Sequence, residues 1–147
     1  MNALLVTMVA VVALLAPHGA ISSAANGSFR IVIHVSNPNS KLPSADVQRL
    51  FLKKTREWDH GPRVIPVDQT LESPVRRGFS RDVLDRSVGA ISKYWLTQVY
   101  SGRDTPPQVK GSDQAVLEFV ASNPGAISYV SSGTSLTKDV KAIEVTP

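Results

Sequence analysis

Hydrophobic and polar residues alternate from Phe29 to Val35, with Phe29, Ile31, Ile33 and Val35 on one face and Arg30, Val32 and His34 on the other. A period of two predicts a strand. Asn37-Pro38-Asn39-Ser40 then has the composition of a turn. Ser44 can cap a helix whose apolar positions Val47, Leu50 and Phe51 keep the spacing of one helical face. Gly61-Pro62 ends the loop after Trp58, and Val64-Ile65-Pro66-Val67 reads as a short strand. Ser73 is an N-cap with Pro74 at the first helical position, and Val75, Phe79 and Val83 recur every four residues toward a core. Asp85-Arg86 interrupts that helix and Ser87 starts another, with Ile91, Trp95 and Val99 in one stripe and Tyr94 beside it. Ser101-Gly102 closes it, and Thr105-Pro106-Pro107 forms a rigid loop. Ser112 or Asp113 caps a fourth helix with Val116, Phe119 and Val120 inward, stopped by Pro124-Gly125. Ala126 to Val130 is a strand, and Val140 to Val145 a last one at a sheet edge.

Strands separated by single helices imply parallel pairing through right-handed crossovers, so the fold class is α/β. In such sheets ligands gather at the carboxyl ends of strands, beside helix amino termini. That rule directs attention to Ser36-Asn37, to the segment from Asp68 to Arg77, and to Ser131-Ser132-Gly133-Thr134.

The first 28 residues contain no Asp, Glu, Lys or Arg, and Ala3 to Ala16 is apolar except for Thr7. A run of about 14 apolar residues falls short of the about 20 that a membrane-spanning helix needs. With Pro17, Gly19 and the small residues Ser22-Ser23-Ala24-Ala25 behind it, the run predicts a signal peptide over 1–25 and an exported domain over 26–147. An uncleaved N-terminal anchor is the alternative. The expected location is the periplasm or the outside of the cell. The 147 residues include no cysteine, which excludes disulfides, thiolate chemistry and lipoprotein attachment. A net charge of +4 favours anions but is too weak and dispersed for nucleic acid.

A helix amino terminus offers unpaired N–H groups and partial positive charge, which attract an oxyanion. The helix opening at Ser73 adds a hydroxyl and the guanidinium groups of Arg76 and Arg77, whose planar forks match phosphate or carboxylate. The plain alternative is that Ser73 only caps the helix while both arginines lie on a solvated face. Ser36 and Asn37 are further ligand candidates, or else a polar turn before Pro38. Ser131 to Thr134 is a hydroxyl-rich anion nest or a surface loop. His34 and His60 lack the spacing of metal ligands, and Asp46, Glu57, Asp59 and Asp68 form no recognisable acid/base pair. No serine sits in a nucleophile elbow. The reading is therefore a binding domain, not an enzyme, with no cofactor and no metal.

The order of several segments carries a resemblance. These are Ile33-His34-Val35-Ser36-Asn37-Pro38, Leu50-Phe51-Leu52-Lys53-Lys54 with Trp58, and Val64-Ile65-Pro66-Val67-Asp68, followed by Arg76 with Phe79 and Tyr94-Trp95. Pro106-Pro107 and Pro124-Gly125-Ala126-Ile127-Ser128-Tyr129-Val130 complete the set. From Val32 to Val130 it resembles the second lobe of the phosphate-binding proteins of ABC transporters. It is most similar to the short stand-alone members of that phosphate-binding-protein-like domain family. The resemblance implies a single lobe of a type II periplasmic-binding-protein-like fold, with a mixed, mostly parallel sheet flanked by helices. It implies binding of phosphate or a related small oxyanion through Ser36, Asn37, Ser73, Arg76 and Arg77, for a membrane permease or a sensor protein. Lys53 and Ser128 stand where the family commonly has glycine, and the loop from Asp68 to Arg77 lacks the paired glycines of the family's phosphate loop. A lone lobe also has no hinged clamp to exclude water. The other reading is an envelope interaction or sensory module with the same fold and no small ligand.

Overall fold

The computed structural model describes residues 27–147, so the leader expected over 1–25 lies outside the described residues. The chain order is β1 (Phe29–His34), β2 (Lys41–Pro43), α1 (Ser44–Phe51), β3 (Ile65–Gln69), α2 (Pro74–Asp82), α3 (Val88–Tyr100), β4 (Gln108–Lys110), α4 (Asp113–Ser122), β5 (Ala126–Ser131) and β6 (Val140–Thr146). The six strands form one sheet in the order β2-β6-β1-β5-β3-β4. The pairs β2–β6, β3–β5 and β3–β4 are parallel, while β1 runs antiparallel to both β5 and β6. β1 alone therefore points against the other five.

The sheet is buried on both faces, which explains why β1 and β5 are apolar on successive residues and not only on alternate ones. Ile31, Ile33, Ile127 and Tyr129 face a cluster completed by Val47 and Phe51 of α1, Val75 and Phe79 of α2, and Ile91 and Trp95 of α3. Val32, Val130 and Val140 face the other way, onto Val116, Leu117 and Val120 of α4. The ring of Phe79 stacks on that of Tyr129 at 4.1 Å and meets Phe51 at 4.5 Å. At Gly78 a Cβ would overlap the carbonyl oxygen of Gly27, so α2 seats directly against backbone there.

Local signals set most boundaries. The hydroxyls of Ser73, Ser87 and Ser112 accept from the N–H groups of Arg76, Ala90 and Ala115 and cap α2, α3 and α4. Ser44 does not cap α1; Pro43 holds the N-cap position with no side-chain bond, because extended β2 runs straight into the helix. β6 is not an edge strand, since β2 covers its outer side. In α3, Ile91 and Trp95 are buried but Val99 is 48% exposed, so the expected stripe stops one turn short. Phe119 is only partly buried, and Leu117 takes the inward place in α4.

Candidate functional site at the strand ends

The carboxyl ends of β3 and β5 lie at the same edge of the sheet as the amino terminus of α2, as the parallel register of Ile65 with Ala126 requires. Ser73 occupies that edge as a working cap: its Oγ accepts from Arg76 N at 3.3 Å and donates to Gln69 Oε1 at 2.9 Å. Gln69, the last residue of β3, donates from Nε2 to Asp113 Oδ1 at 2.8 Å and to Tyr129 O at 3.0 Å. Asp113 Oδ2 accepts from Ser131 N at 3.0 Å and from Thr134 Oγ1 at 2.6 Å. The hydroxyls of Ser28 and Ser132 share a bond of 2.9 Å, and Arg30 donates to Thr134 O. The edge is thus a chain of polar groups bonded to one another.

Arg76 belongs to this network from beneath. Only 6% of its surface is exposed. Its Nη2 pairs with Asp68 Oδ2 at 3.0 Å and its Nη1 donates to Gln69 O at 2.5 Å, while Nε has no partner among the described residues. Asp68 also accepts from the Tyr129 hydroxyl and from Gln69 N. Burial pushes the Asp68 carboxyl above its ordinary range, against the pull of the Arg76 charge and of its two hydrogen bonds. Burial, with the Asp68 charge beside it, also pushes the Tyr129 phenol up. For Asp113, burial again acts upward, but the bonds from Thr134, Ser131 and Gln69 outweigh it and hold this carboxyl below its ordinary range. Arg77, by contrast, is exposed and donates to Glu72 O at 2.7 Å. It lines a cleft of about 620 Å³ with Arg81, Arg86, Asp85 and the start of α3.

Ser36 and Asn37 are not part of this edge. They follow β1, and β1 is reversed: its first residue Phe29 lies opposite Ser131, so its carboxyl end lies at the far side of the sheet. Six residues at about 3.4 Å each separate the two edges. There Ser36 bonds His34 Nδ1 at 2.7 Å, and buried Asn37 accepts from Asn39 N at 3.0 Å in a local turn. Of the five candidate residues, the structure brings Ser73, Arg76 and Arg77 together at the start of α2 and leaves Ser36 and Asn37 apart. Gln69, Asp113 and the role of Asp68 were not anticipated. A carboxylate in a strand, Asp68, eight and nine residues before the helical pair Arg76 and Arg77 was the one available sign. Among the described residues no group of His, Asp or Glu side chains could hold a metal ion, and no helix is long and apolar enough to cross a membrane.

No family model matches the chain, and no curated protein matches it in sequence. Solved structures do. An ABC-type phosphate transport receptor from Vibrio cholerae superposes with a TM-score of 0.61 at 22% identity, over 80% of this chain and 46% of its own. The fold is that of one lobe of a substrate-binding protein. A protein of Clostridium perfringens described as a phosphate ABC transporter substrate-binding protein, solved with phosphate bound, gives 0.60 at 18% identity over 80% and 44%. PstS from Borrelia burgdorferi gives 0.61 at 10% identity over 81% and 47%. The lobe thus spans less than half the length of each of these proteins.

Proposed function

We propose that this chain is an exported domain of substrate-binding-protein architecture that works as an interaction or sensory module of the envelope and does not capture free phosphate on its own. One observation carries the reading: the guanidinium expected to hold an oxyanion is buried and already paired with Asp68 at 3.0 Å. Ser73, its expected companion, is engaged on both sides. A free anion at the strand ends would have to break those bonds before making its own. The face available to a protein partner is the outer side of α3, where Leu96, Val99 and Tyr100 are exposed at helical spacing, Tyr100 to 86%.

A second reading, binding of phosphate or a related small oxyanion for a permease or sensor, is favoured by Arg77. Its exposed guanidinium shares the 620 Å³ cleft with Arg81 and Arg86, and one neighbour in fold was solved with phosphate. In this version a partner protein completes the site. Calorimetric titration of phosphate into the purified chain separates the two. Silence up to millimolar phosphate is the expected result. Saturable heat that Arg77→Ala removes would establish oxyanion capture and displace the first reading.

A further inference from the structure

Three donors from two separate parts of the chain converge on the Asp113 carboxylate: Gln69 Nε2 at 2.8 Å, Ser131 N at 3.0 Å and Thr134 Oγ1 at 2.6 Å. Gln69 ends β3, while Ser131 ends β5 and Thr134 follows it in the loop toward β6. A main-chain N–H, a hydroxyl and an amide N–H directed at two oxygens form the kind of donor set that holds a free oxyanion. The set lies at the carboxyl ends of the strands, where ligands of α/β sheets sit. The acid itself comes from the first residue of α4, whose amino-terminal dipole adds to its stabilisation. Asp113 is only half-buried, so the place it fills is reachable from solvent.

We propose that Asp113 is a built-in occupant of an oxyanion site: its tethered carboxylate fills the donor set of Gln69, Ser131 and Thr134 and so excludes free carboxylate or phosphate. Tethering makes it an intramolecular ligand at high effective concentration. Any free anion would also meet its negative charge. This rests on and deepens the reading that the isolated domain does not capture phosphate, adding Asp113 to the Arg76–Asp68 pair as a second obstacle to it.

The test is Asp113→Ala in the full chain, which removes the carboxylate and leaves all three donors. Inorganic phosphate and formate are the probes, each at constant ionic strength against chloride. A site that gains an anion raises the melting temperature by about 5 °C at tenfold excess over the dissociation constant. We expect that rise, saturable, with at least one probe in Asp113→Ala. We expect it to be absent in the wild type and in Asp113→Asn, whose amide still fills the space, and lost again when Thr134→Val is added. If Asp113→Ala is unfolded without anion, recovery of its cooperative melt on adding phosphate or formate is the same gain. A variant that responds to neither probe, whether it starts folded or unfolded, overturns the proposal while leaving the interaction reading in place. Binding by the wild type that Thr134→Val removes would overturn both, whereas wild-type binding that Arg77→Ala removes would overturn the interaction reading alone.

Discussion

Arg76 and Arg77 are adjacent, identical in chemistry and equally plausible as anion ligands, yet their surroundings differ completely. Arg76 reaches inward to Asp68 and the main chain of β3, and Arg77 reaches outward to Glu72 O. Removing one partner of a buried pair leaves the other charge without compensation, at a cost of about 3–5 kcal/mol. Arg76→Ala should therefore lower unfolding free energy by about that amount, and Arg77→Ala should shift it by no more than about 0.5 kcal/mol. Guanidinium denaturation of both variants checks this; equal effects would mean that Arg76 is not engaged as described. No property of the two side chains could have told them apart in the sequence, because the difference lies in which face of α2 meets the end of β3. Lys53 and Ser128 were more legible as departures from a pattern that has glycine. Lys53 does take a glycine-like φ of 55°, anchored by Nζ to Thr105 O at 2.8 Å. Ser128 fits between strands because its hydroxyl donates to Val67 O at 2.8 Å.

Elements whose signals are local were readable, and those that depend on a distant partner were not. Ser73, Ser87 and Ser112 each cap the helix they precede, since an N-cap bond spans only three residues. β2 and β4 are three residues each and exist only because β6 and β3 offer an edge to pair with. Val99 continues the spacing of Ile91 and Trp95 but is exposed, since spacing along a helix does not say where the surface that covers it ends. The caps also differ in what lies behind them. The Ser87 and Ser112 hydroxyls accept one helical N–H each, whereas that of Ser73 also donates to Gln69. Ser87→Ala and Ser112→Ala should each cost about 1 kcal/mol. Ser73→Ala should cost about 2 kcal/mol, because it also leaves the Gln69 oxygen without its donor. Thermal or chemical melts of the three variants give the ranking, and a Ser73→Ala no worse than the others would show that its bond to Gln69 contributes nothing.

At the scale of the molecule, alternation of strands and helices was enough for the α/β class but not for the direction of β1. Periodicity is the same in a parallel and an antiparallel strand, so the carboxyl end of β1 was assigned to the wrong edge, and Ser36 and Asn37 with it. What closes the correct edge is Asp113, which links α4 to the end of β3 and to the segment after β5. Its carboxyl is held below the ordinary value of 3.8 by those hydrogen bonds, which outweigh the opposing effect of burial. A group with a depressed folded value stabilises above its unfolded value and loses that contribution as pH falls through the folded one. Asp68 has the opposite sign: its raised carboxyl favours the fold most in acid and less as pH rises, so it does not add to the acid loss. Exposed Asp82, held low by Arg81, acts in the same direction as Asp113 but at the surface, where such pairs matter little. The stability difference between wild type and Asp113→Asn should accordingly be constant near neutrality and shrink once pH drops below 3.8. Denaturant unfolding of both proteins from neutral pH into this acid range measures it. A difference that stays flat or widens in acid would mean that the Asp113 carboxylate is not what ties these three parts of the fold together.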